Sequence, residues 1–438
     1  MANGPDTEES VMGLKHLVIA GVVCSTVGIG MVRAQEGPLP RARPEDVGMS
    51  SERLGRIGAV LNADVEAGRM PGGVLAVVRD GKLAWFEAYG FRDKAAGVRM
   101  TTDTIFNIAS MTKPMTAVAA LSLVEQGRVV IDEPVARVLP MFGAMKVAVL
   151  NESGDAITGT VPAARAITMR DLLTHTSGLI YGGRGTTAVH KLYPSGSSGA
   201  ALALTGPEFL AKLAAAPLLA QPGTVWDYGF GLDVTGLMVE ALTKQSLGAY
   251  LQTAVWKPLG MVDTGFVIPP EKVARYAKAL PTDPETGQPQ RLEPDSTVAA
   301  KFECGGGCAV STAADYVRFA SMLLNGGVFE EHRVLSPAMT GYMLSNQLSP
   351  DVRNLIGNAD PTRAGYGFGL GLAVRTTPGV ARLLGSVGDF SWPGASGTNW
   401  WADPEERLVV VWMAHTPGVA RWHYRWLINT MVYAALEK

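Results

Sequence analysis

The hydrophobic positions early in the chain follow two different periods. One set recurs every three or four residues, which places it on one face of a helix; it consists of Leu54, Ile57, Leu61 and Val65. Two apolar runs then cover residues 73–78 and 83–88, and Asp80 and Gly81 between them are typical of a hairpin turn. The pattern therefore predicts a helix from Ser50 onward, followed by a β-hairpin.

The middle of the chain is rich in alanine and leucine, and its pattern predicts several helices. They cover residues 110–126, 169–173, 206–215, 232–242 and 247–255. Residues 182–206 are instead dominated by Gly, Ser and Thr, which predicts a loop or a lid.

Strand patterns return toward the C-terminus, and a last helix follows them. The predicted strands cover residues 381–384, 397–402 and 408–413, with a turn at Pro404 and Glu405. The last helix is predicted over 420–436 and carries bulky side chains for packing, among them Trp422, Trp426, Ile428 and Met431.

Strand-rich ends thus bracket a helix-rich middle, and this order indicates an α+β fold. We expect an α/β domain made of residues 45–105 and 320–438, with an antiparallel sheet flanked by the terminal helices. Residues 106–319 are expected to form a large all-helical domain inserted between these two parts.

The composition is that of a compact soluble protein. Of the 438 residues, 47% are hydrophobic and 18% are charged, and the formal net charge is -2. This charge offers no basic field, so no nucleic-acid partner is expected. The three cysteines are too few for a disulfide scaffold, and stability must come from an apolar core.

An uncharged apolar stretch near the N-terminus predicts an export signal. It covers residues 17–32, which is too short for a comfortable membrane span, so no stable membrane partner is expected. Val32 and Ala34 have the small-residue spacing of a cleavage site, which predicts a signal peptide over residues 1–34 and a periplasmic or secreted protein. The alternative is an apolar leader on a cytoplasmic protein.

A candidate catalytic pair lies at the start of the predicted helix 110–126. Ser110 and Lys113 are three residues apart, so a helix places them on one face, and no other lysine has a serine at that distance before it. Pro114 is tolerated only near a helix start, where free N–H groups favour an oxyanion. A serine becomes nucleophilic when a neighbour such as this lysine takes its proton. On the motif alone, a helix cap at Ser110 and a solvated Lys113 remain an equal alternative.

Longer stretches around this pair resemble the serine β-lactamase and penicillin-binding superfamily and, within it, the family VIII carboxylesterases. The matching stretches are ITMRDLLTHTSGL at 167–179, QPGTVWDY at 221–228 and PLGM at 258–261. The likeness runs from residue 44 to the C-terminus. It implies a β-lactamase/transpeptidase-like fold, with Ser110 as the nucleophile and Lys113 as its partner.

By this resemblance Tyr228 is the tyrosine of the superfamily's second motif. A phenol serves as a base beside a cation, and the Lys113 ammonium would be that cation. Closely coupled groups titrate together, so which of the two is formally the base stays open. The alternative for Tyr228 is a half-buried aromatic residue beside Trp226.

The stretch FSWPGASGT at 390–398 resembles the superfamily's third motif. Family VIII enzymes have Trp-x-Gly there, which Trp392 and Gly394 match, and Gly394 would let a substrate approach the strand closely. The resemblance implies that the backbone N–H groups of Ala395 and Ser110 form the oxyanion hole. The alternative is an edge strand, interrupted by Gly and Pro, that binds no ligand.

Two departures from the lactamase pattern favour esters over β-lactams. Phe230 stands where a class C lactamase has asparagine, and the third motif lacks the lactamase lysine. Both changes remove polar groups that would hold a β-lactam. An apolar wall of Trp392 and Phe230 suits the acyl group of a neutral ester as substrate.

We therefore expect a carboxylesterase that hydrolyses short acyl esters through a serine acyl-enzyme, with side activity on β-lactams such as cephalosporins. The alternatives on the same scaffold are a β-lactamase, a D-amino-acid peptidase and an acyltransferase. An inactive binding protein for acyl or cell-wall ligands is the alternative from another class. No cofactor and no metal site are expected, because the six histidines are scattered along the chain.

Two further candidates are given structural interpretations. His175 invites comparison with a Ser–His–Asp triad, but we interpret it as a residue at a helix end that runs into a turn. Cys304 and Cys308 flank three glycines, and we favour a reduced pair over a disulfide.

Overall fold

The computed structural model describes Met1, residues 39–290 and residues 295–437. It divides into a unit of Met1–Glu36, of which only Met1 is described, and a unit of Gly37–Lys438, to which everything below refers. The predicted signal peptide at residues 1–34 therefore lies, apart from Met1, outside the described residues.

The helices and strands have the following bounds. The helices are α1 (Ser51–Glu66), α2 (Thr112–Glu125), α3 (Met169–Leu173), α4 (Ser197–Ala203), α5 (Gly206–Ala215), α6 (Gly231–Thr243), α7 (Leu247–Leu251), α8 (Ala313–Leu324), α9 (Pro337–Met343) and α10 (Ala420–Ala434). The strands are β1 (Gly72–Arg79), β2 (Lys82–Asp93), β3 (Val98–Arg99), β4 (Phe106–Asn107), β5 (Lys146–Leu150), β6 (Ile157–Pro162), β7 (Val225–Trp226), β8 (Val310–Ser311), β9 (Val328–Phe329), β10 (His332–Arg333), β11 (Arg353–Asn354), β12 (Tyr366–Phe368), β13 (Ala373–Arg375), β14 (Phe390–Ser391), β15 (Asn399–Asp403) and β16 (Leu408–Ala414).

One antiparallel sheet is built from both ends of the chain. Its strand order is β12-β13-β14-β15-β16-β1-β2-β3, so the N-terminal hairpin pairs directly with the C-terminal strands. Strand β1 pairs with β16 from Gly73 opposite Ala414 to Arg79 opposite Leu408. The predicted α+β fold with an antiparallel sheet and terminal helices is therefore confirmed.

Helices cover both faces of this sheet. Every residue of β1 is buried, because alternate side chains of a strand point to opposite faces and both faces are covered. Leu75 and Val77 lie in one apolar cluster with α1 and α10, whereas Val74, Ala76 and Val78 lie in a second cluster with α2 and α8. Burial of a large aliphatic side chain contributes about 1.5–3 kcal/mol. The predicted face of α1 belongs to the first cluster, with Leu54, Ile57, Leu61 and Val65 all buried.

Helix α2 is buried among other helices. All its residues from Thr112 to Leu123 are buried, and it packs against α6 and α7. A helix that is surrounded in this way is mostly apolar on all sides, and Lys113 is the charged exception among its buried residues. A 3-10 turn, Ala109–Met111, leads into α2, so Ser110 lies just before the helix. Pro114 is the third residue of α2, where an N–H group would have no acceptor within the helix.

Local sequence signals located several helices correctly. Helices α3 and α5 have the predicted boundaries, and each begins with a capping box. In such a box, a threonine hydroxyl and an acidic side chain three residues later satisfy free N–H groups at the helix start. These boxes are formed by Thr168 with Asp171 and by Thr205 with Glu208.

Some of the predicted secondary structure is wrong. Residues 381–384 do not form a strand, because the Arg375 guanidinium, rather than a neighbouring strand, donates to the carbonyls of Leu383 and Leu384. The predicted loop at 182–206 contains α4. The pattern also missed α8, α9 and the hairpin of β5 and β6. The boundaries of the inserted domain, at 106 and 319, stay a prediction.

Within the described ranges, no helix is both long enough and apolar enough to cross a membrane.

Candidate active site

Ser110 lies on a sharp bend between β4 and α2. Ala109 adopts a φ of 42°, a left-handed conformation that costs a non-glycine residue about 1–2 kcal/mol. Its N–H donates to Asn107 Oδ1 at 2.9 Å, and the Asn107 amide donates to Ser296 Oγ at 3.0 Å. Buried hydrogen bonds therefore hold the strained bend, and the bend places Ser110 in the wall of a cavity.

The three residues predicted to carry the chemistry lie together. The Tyr228 hydroxyl donates to Ser110 Oγ at 2.7 Å, and Lys113 Nζ donates to the same oxygen at 3.3 Å. Ser110 and Lys113 come from one helical turn, whereas Tyr228 comes from the segment between β7 and α6. The serine oxygen is therefore within hydrogen-bond reach of both predicted partners, as general base catalysis requires.

Lys113 is fully buried, and its ammonium group has three acceptors. Besides Ser110 Oγ, Nζ donates to Tyr181 Oη at 3.2 Å and to the carbonyl oxygen of Gly306. Nζ also lies 4.4 Å from the centroid of the Tyr228 ring. These three acceptors fix the Lys113 amine beside the serine.

A buried carboxylate lies behind this amine. Asp233 accepts hydrogen bonds from Ser197 Oγ at 2.8 Å, from Tyr181 Oη at 3.3 Å and from the Gly306 N–H at 3.0 Å. Burial raises the pKa of Asp233, while the charge of Lys113 and these hydrogen bonds oppose the rise. Tyr181 and Gly306 each contact both Lys113 and Asp233, so they couple the amine to the carboxylate.

Sequence reasoning missed Tyr181 and Asp233. Tyr181 follows a matched motif and precedes a glycine-rich stretch, which gives no sign that it reaches Lys113. Asp233 lies near the start of α6, where an acidic residue usually indicates a helix start rather than a buried site. A signal was present, however, because Asp233 is an acidic residue flanked by Leu232 and Val234 in an apolar helix.

The expectation of reduced cysteines is wrong. Cys304 and Cys308 form a disulfide, with their Cα atoms 5.3 Å apart, which is within the normal range for such a bond. The disulfide closes the loop that presents Gly306 to Lys113 and Asp233. The sequence could not predict this bond, because the folded path of the glycine loop sets the distance between the two cysteines.

Aromatic rings and cations surround Tyr228. Its ring centroid lies 5.2 Å from that of Trp392, and the Trp392 indole Nε1 donates to the Tyr228 hydroxyl at 3.2 Å. The Arg184 guanidinium lies 4.9 Å from the centroid of the Tyr228 ring, and Lys113 Nζ lies 4.4 Å from the same centroid. These contacts fix the phenol oxygen and place positive charge near it.

His175 contacts Tyr228 rather than taking part in a triad. It follows α3 with a φ of 56°, and its ring centroid lies 4.7 Å from that of Tyr228. The Gly229 N–H donates to His175 Nδ1 at 3.4 Å. Burial lowers the pKa of His175, and the charges of Lys113 and Arg184 lower it further, so the imidazole is neutral at neutral pH. The contacts agree with a structural residue in a turn.

The segment that follows β14 is hydrogen-bonded to, and packs closely against, the residues just before Ser110. Ser396 Oγ donates to the carbonyl of Asn107 at 2.6 Å. A Cβ atom on Gly394 would lie 2.5 Å from the carbonyl oxygen of Ile108. The close approach on the side of Gly394 where a Cβ atom would lie is therefore made by the chain itself, and the approach of a substrate to this strand stays a prediction.

Gly394→Ala tests the close packing of Gly394 against Ile108. We expect the methyl group to force the two segments apart, with a loss of about 1–3 kcal/mol in the free energy of unfolding and a parallel loss of ester hydrolysis. Gly341→Ala is the matched control, since a Cβ atom on Gly341 in α9 would meet nothing within 4 Å. Thermal unfolding and initial rates measure both effects, and equal stability of the two variants would contradict the packing described.

Phe230 does not form the wall of the cavity. It is fully buried, and its ring packs edge-on against Tyr181 and Phe209, with centroid distances of 4.5 and 5.1 Å. Tyr181 lines the cavity and Phe230 supports it from the protein interior. The prediction that Phe230 contacts the substrate directly is therefore wrong.

A cavity of about 500 Å³ opens beside Ser110. Tyr228 and Ala395 line it together with residues of the predicted loop 182–206, among them Gly183, Arg184 and Ser198. Trp392 lines a smaller pocket that shares Ser110, Tyr228 and Ala395 with this cavity. In the part of the chain that the structure describes, no group of three or more His, Cys, Asp and Glu residues is arranged to hold a metal ion.

Known proteins resemble this chain over most of its length. Residues 57–429 match a protein-family model described as Beta-lactamase. Protein Rv1367c of Mycobacterium tuberculosis is 38% identical over 361 residues, which cover 81% of this chain and 88% of the relative. Esterase EstB of Burkholderia gladioli is 33% identical over 374 residues, which cover 82% of this chain and 90% of the relative. The solved structure of EstCE1, described as a hydrolase with promiscuous acyltransferase activity, has a TM-score of 0.70 and 26% identity, covering 87% of this chain and 98% of that one.

Proposed function

The chain belongs to the β-lactamase family and is a serine hydrolase, and from that premise we propose that it hydrolyses short acyl esters through an acyl-enzyme on Ser110. One observation carries the proposal. Ser110 Oγ lies 2.7 Å from the Tyr228 hydroxyl and 3.3 Å from Lys113 Nζ, at the edge of a cavity that admits a small molecule. The names of the relatives EstB and EstCE1, an esterase and a hydrolase, support the same class of reaction.

In the proposed acylation step, Ser110 Oγ attacks the carbonyl carbon of the ester. The serine proton passes to the pair formed by Lys113 and Tyr228, and it is assigned to the pair because coupled groups titrate together. To accept this proton the pair starts one proton short of an ammonium and a phenol, and the Arg184 guanidinium, 4.9 Å from the Tyr228 ring, stabilises negative charge on the phenol oxygen in that starting state.

The carbonyl oxygen of the ester becomes an oxyanion in this step. The backbone N–H groups of Ser110 and Ala395, two residues that line the cavity together, are proposed to donate to it. As the tetrahedral intermediate collapses, the carbon–oxygen bond to the alcohol breaks and the pair returns its proton to the leaving alkoxide.

Water then completes the reaction by the same route. It loses a proton to the Lys113–Tyr228 pair, attacks the acyl carbon and expels Ser110 Oγ, which regains the proton. The products are a carboxylic acid and a free enzyme.

The aromatic surroundings of the site favour esters over β-lactams. Trp392 occupies the third segment where lactamases have a lysine, so that segment offers no cation to a substrate carboxylate, and the cations of the same pocket, Arg184, Arg421 and Arg425, come from other segments. Slow hydrolysis of cephalosporins remains part of the proposal, because acyl-enzyme formation is common to both substrate classes.

Acyl transfer is a second candidate function. The cavity of about 500 Å³ exceeds what a hydrolytic water needs, and the name of EstCE1 includes acyltransferase activity. An alcohol bound in the place of water would attack the acyl-enzyme and yield a new ester. Addition of a small alcohol during hydrolysis tests this, because transfer produces that ester in amounts that grow with alcohol concentration.

A substrate panel tests the proposed function. We expect kcat/KM for p-nitrophenyl acetate or butyrate to exceed that for a chromogenic cephalosporin by at least about tenfold, since a single lost polar contact already changes selectivity by that order. A fluorophosphonate probe should label Ser110, as peptide mass mapping would detect. Faster turnover of the cephalosporin would favour a β-lactamase, and absence of both labelling and turnover would favour a binding protein.

A further inference from the structure

Arg425, on the C-terminal helix α10, contacts the peptide group that carries a proposed oxyanion donor. Its guanidinium Nη2 donates to the carbonyl oxygen of Gly394 at 2.8 Å. That carbonyl and the N–H of Ala395 belong to the same peptide group. In a trans peptide the two groups point in opposite directions, so a donor that holds the carbonyl on one side directs the N–H to the other.

We propose that Arg425 is a positioning residue for the oxyanion hole and acts through the peptide between Gly394 and Ala395. The inference rests on the proposed function, and it goes further by assigning a role to a residue that no motif identified and that lines the smaller pocket beside Ser110 and Trp392. Arg425 aligns the Ala395 N–H toward the cavity that Ser110 lines. A charged donor on the carbonyl also polarises the peptide and strengthens the hydrogen bond that its N–H donates.

The burial of Arg425 supports this role. Arg425, Arg363 and Asp360 are 3%, 2% and 5% exposed, so the protein buries two guanidinium groups with one carboxylate. Asp360 Oδ2 lies 3.2 Å from Arg363 and 3.5 Å from Arg425. Burying one positive charge more than the carboxylate neutralises lowers the stability of the fold. A side chain that only had to hold the Gly394 carbonyl in place could do so with a neutral donor.

The two arginines differ in what else they contact. Arg363 Nη1 donates to the side chain of Ser391 at 2.7 Å, whereas Arg425 donates to the Gly394 backbone. Burial lowers the pKa of Arg425 to about 9, with Asp360 opposing the shift, so the guanidinium is charged at neutral pH. Only the contact of Arg425 can therefore act on the peptide of Ala395 directly.

The rest of the segment is held by neutral contacts. The Gly397 N–H donates to the Gly394 carbonyl at 3.3 Å, and the Gly394 N–H donates to the Thr398 carbonyl at 2.9 Å. These bonds form a turn, but they add no net charge. In the residues that the structure describes, no intramolecular acceptor is found for the Ala395 N–H, which leaves it available to a ligand.

The test compares one p-nitrophenyl ester with its thiono analogue, in which sulfur replaces the carbonyl oxygen. Sulfur accepts hydrogen bonds poorly, so the ratio of oxo to thiono turnover reports on the oxyanion hole. We expect Arg425→Met to lower kcat for the oxo ester by about tenfold to a hundredfold. This factor does not exceed the factor by which kcat falls when a whole oxyanion donor is removed. KM should stay within about twofold, and the oxo-to-thiono ratio should fall by the same factor as kcat.

Arg363→Met is the matched control. Each single variant removes one guanidinium from Asp360 and leaves a neutral pair, so both are expected to fold and to lose similar stability. Only Arg425→Met removes the bond to the Gly394 carbonyl, and only that variant should lower the ratio. Arg425→Lys retains a charged donor and should restore part of the ratio.

Each outcome decides the proposal. An unchanged ratio in folded Arg425→Met, or an equal fall in Arg363→Met, would overturn the role of Arg425 while leaving ester hydrolysis intact. Should Arg425→Met not fold, Arg425→Gln takes its place, because its shorter neutral side chain removes the charged donor, and an unchanged ratio in folded Arg425→Gln would contradict the proposal. A wild-type protein that hydrolyses neither ester would show that the proposed function itself has failed, and the role of Arg425 with it.

Discussion

Replacement of Ser110 with alanine is expected to lower kcat/KM for short p-nitrophenyl esters by at least about 10⁴-fold, as loss of the nucleophile does in other serine hydrolases. The reason is that no acyl-enzyme can form without Ser110 Oγ, and the remaining oxyanion donors alone supply a small part of the rate. Initial rates and fluorophosphonate labelling measure the effect. Labelling of the variant at another residue would reassign the nucleophile.

The fold should tolerate this change. Ser110 lines the cavity, so water can replace its oxygen as the partner of Tyr228 and Lys113. We expect the melting temperature to shift by at most about 2 °C, which corresponds to a change of about 0.5 kcal/mol. Ser321→Ala is the matched control, since Ser321 is buried in α8 with a hydroxyl that has no partner in the described structure. Turnover above about 1% of wild type in folded Ser110→Ala would exclude the mechanism, because only about 0.01% is expected.

Replacement of Tyr228 with phenylalanine is expected to lower kcat by about 10²–10⁴-fold, the range that general acid–base groups contribute. The change removes one oxygen, which donates to Ser110 and accepts from Trp392. The ring remains, with its contacts to His175, Trp392 and the Lys113 ammonium. The loss should therefore lie in kcat rather than in KM, since the walls of the cavity keep their shape.

Tyr193→Phe controls for the loss of a buried hydroxyl. Tyr193 is 6% exposed, and its hydroxyl donates to the carbonyl of Pro217 at 3.2 Å, away from the lining of the cavity beside Ser110. Its activity should stay within about threefold of wild type, while its stability falls by about 1 kcal/mol, the usual net value of one hydrogen bond. Equal kcat in Tyr228→Phe and wild type would leave Lys113 as the sole proton acceptor.

Several helices were predictable because their signals are local. The spacing of apolar residues on α1 and the capping boxes of α3 and α5 need only neighbours within one or two turns. Residues 381–384 failed for the opposite reason. Whether a short apolar segment becomes a strand depends on a partner strand, and Arg375 takes the place of that partner.

The residues of the candidate site also divide into those that local sequence signals identified and those whose placement depends on the tertiary structure. Ser110 and Lys113 are one helical turn apart, so their proximity follows from the sequence, and the motif around Tyr228 identified the third member. Phe230 shows the limit of such motifs. Its position in a motif did not reveal that its ring points into the core behind Tyr181.

The amino-acid sequence by itself determined the class of the fold, several of its helices and strands and the serine–lysine pair, since periodicity and short spacing act within single elements. Only the tertiary structure decided that Asp233 and Gly306 complete the surroundings of Lys113, and that Arg425 reaches the peptide of Ala395. These contacts join segments that are far apart in the chain. Their distances depend on how buried helices and strands pack in three dimensions, which no local pattern specifies.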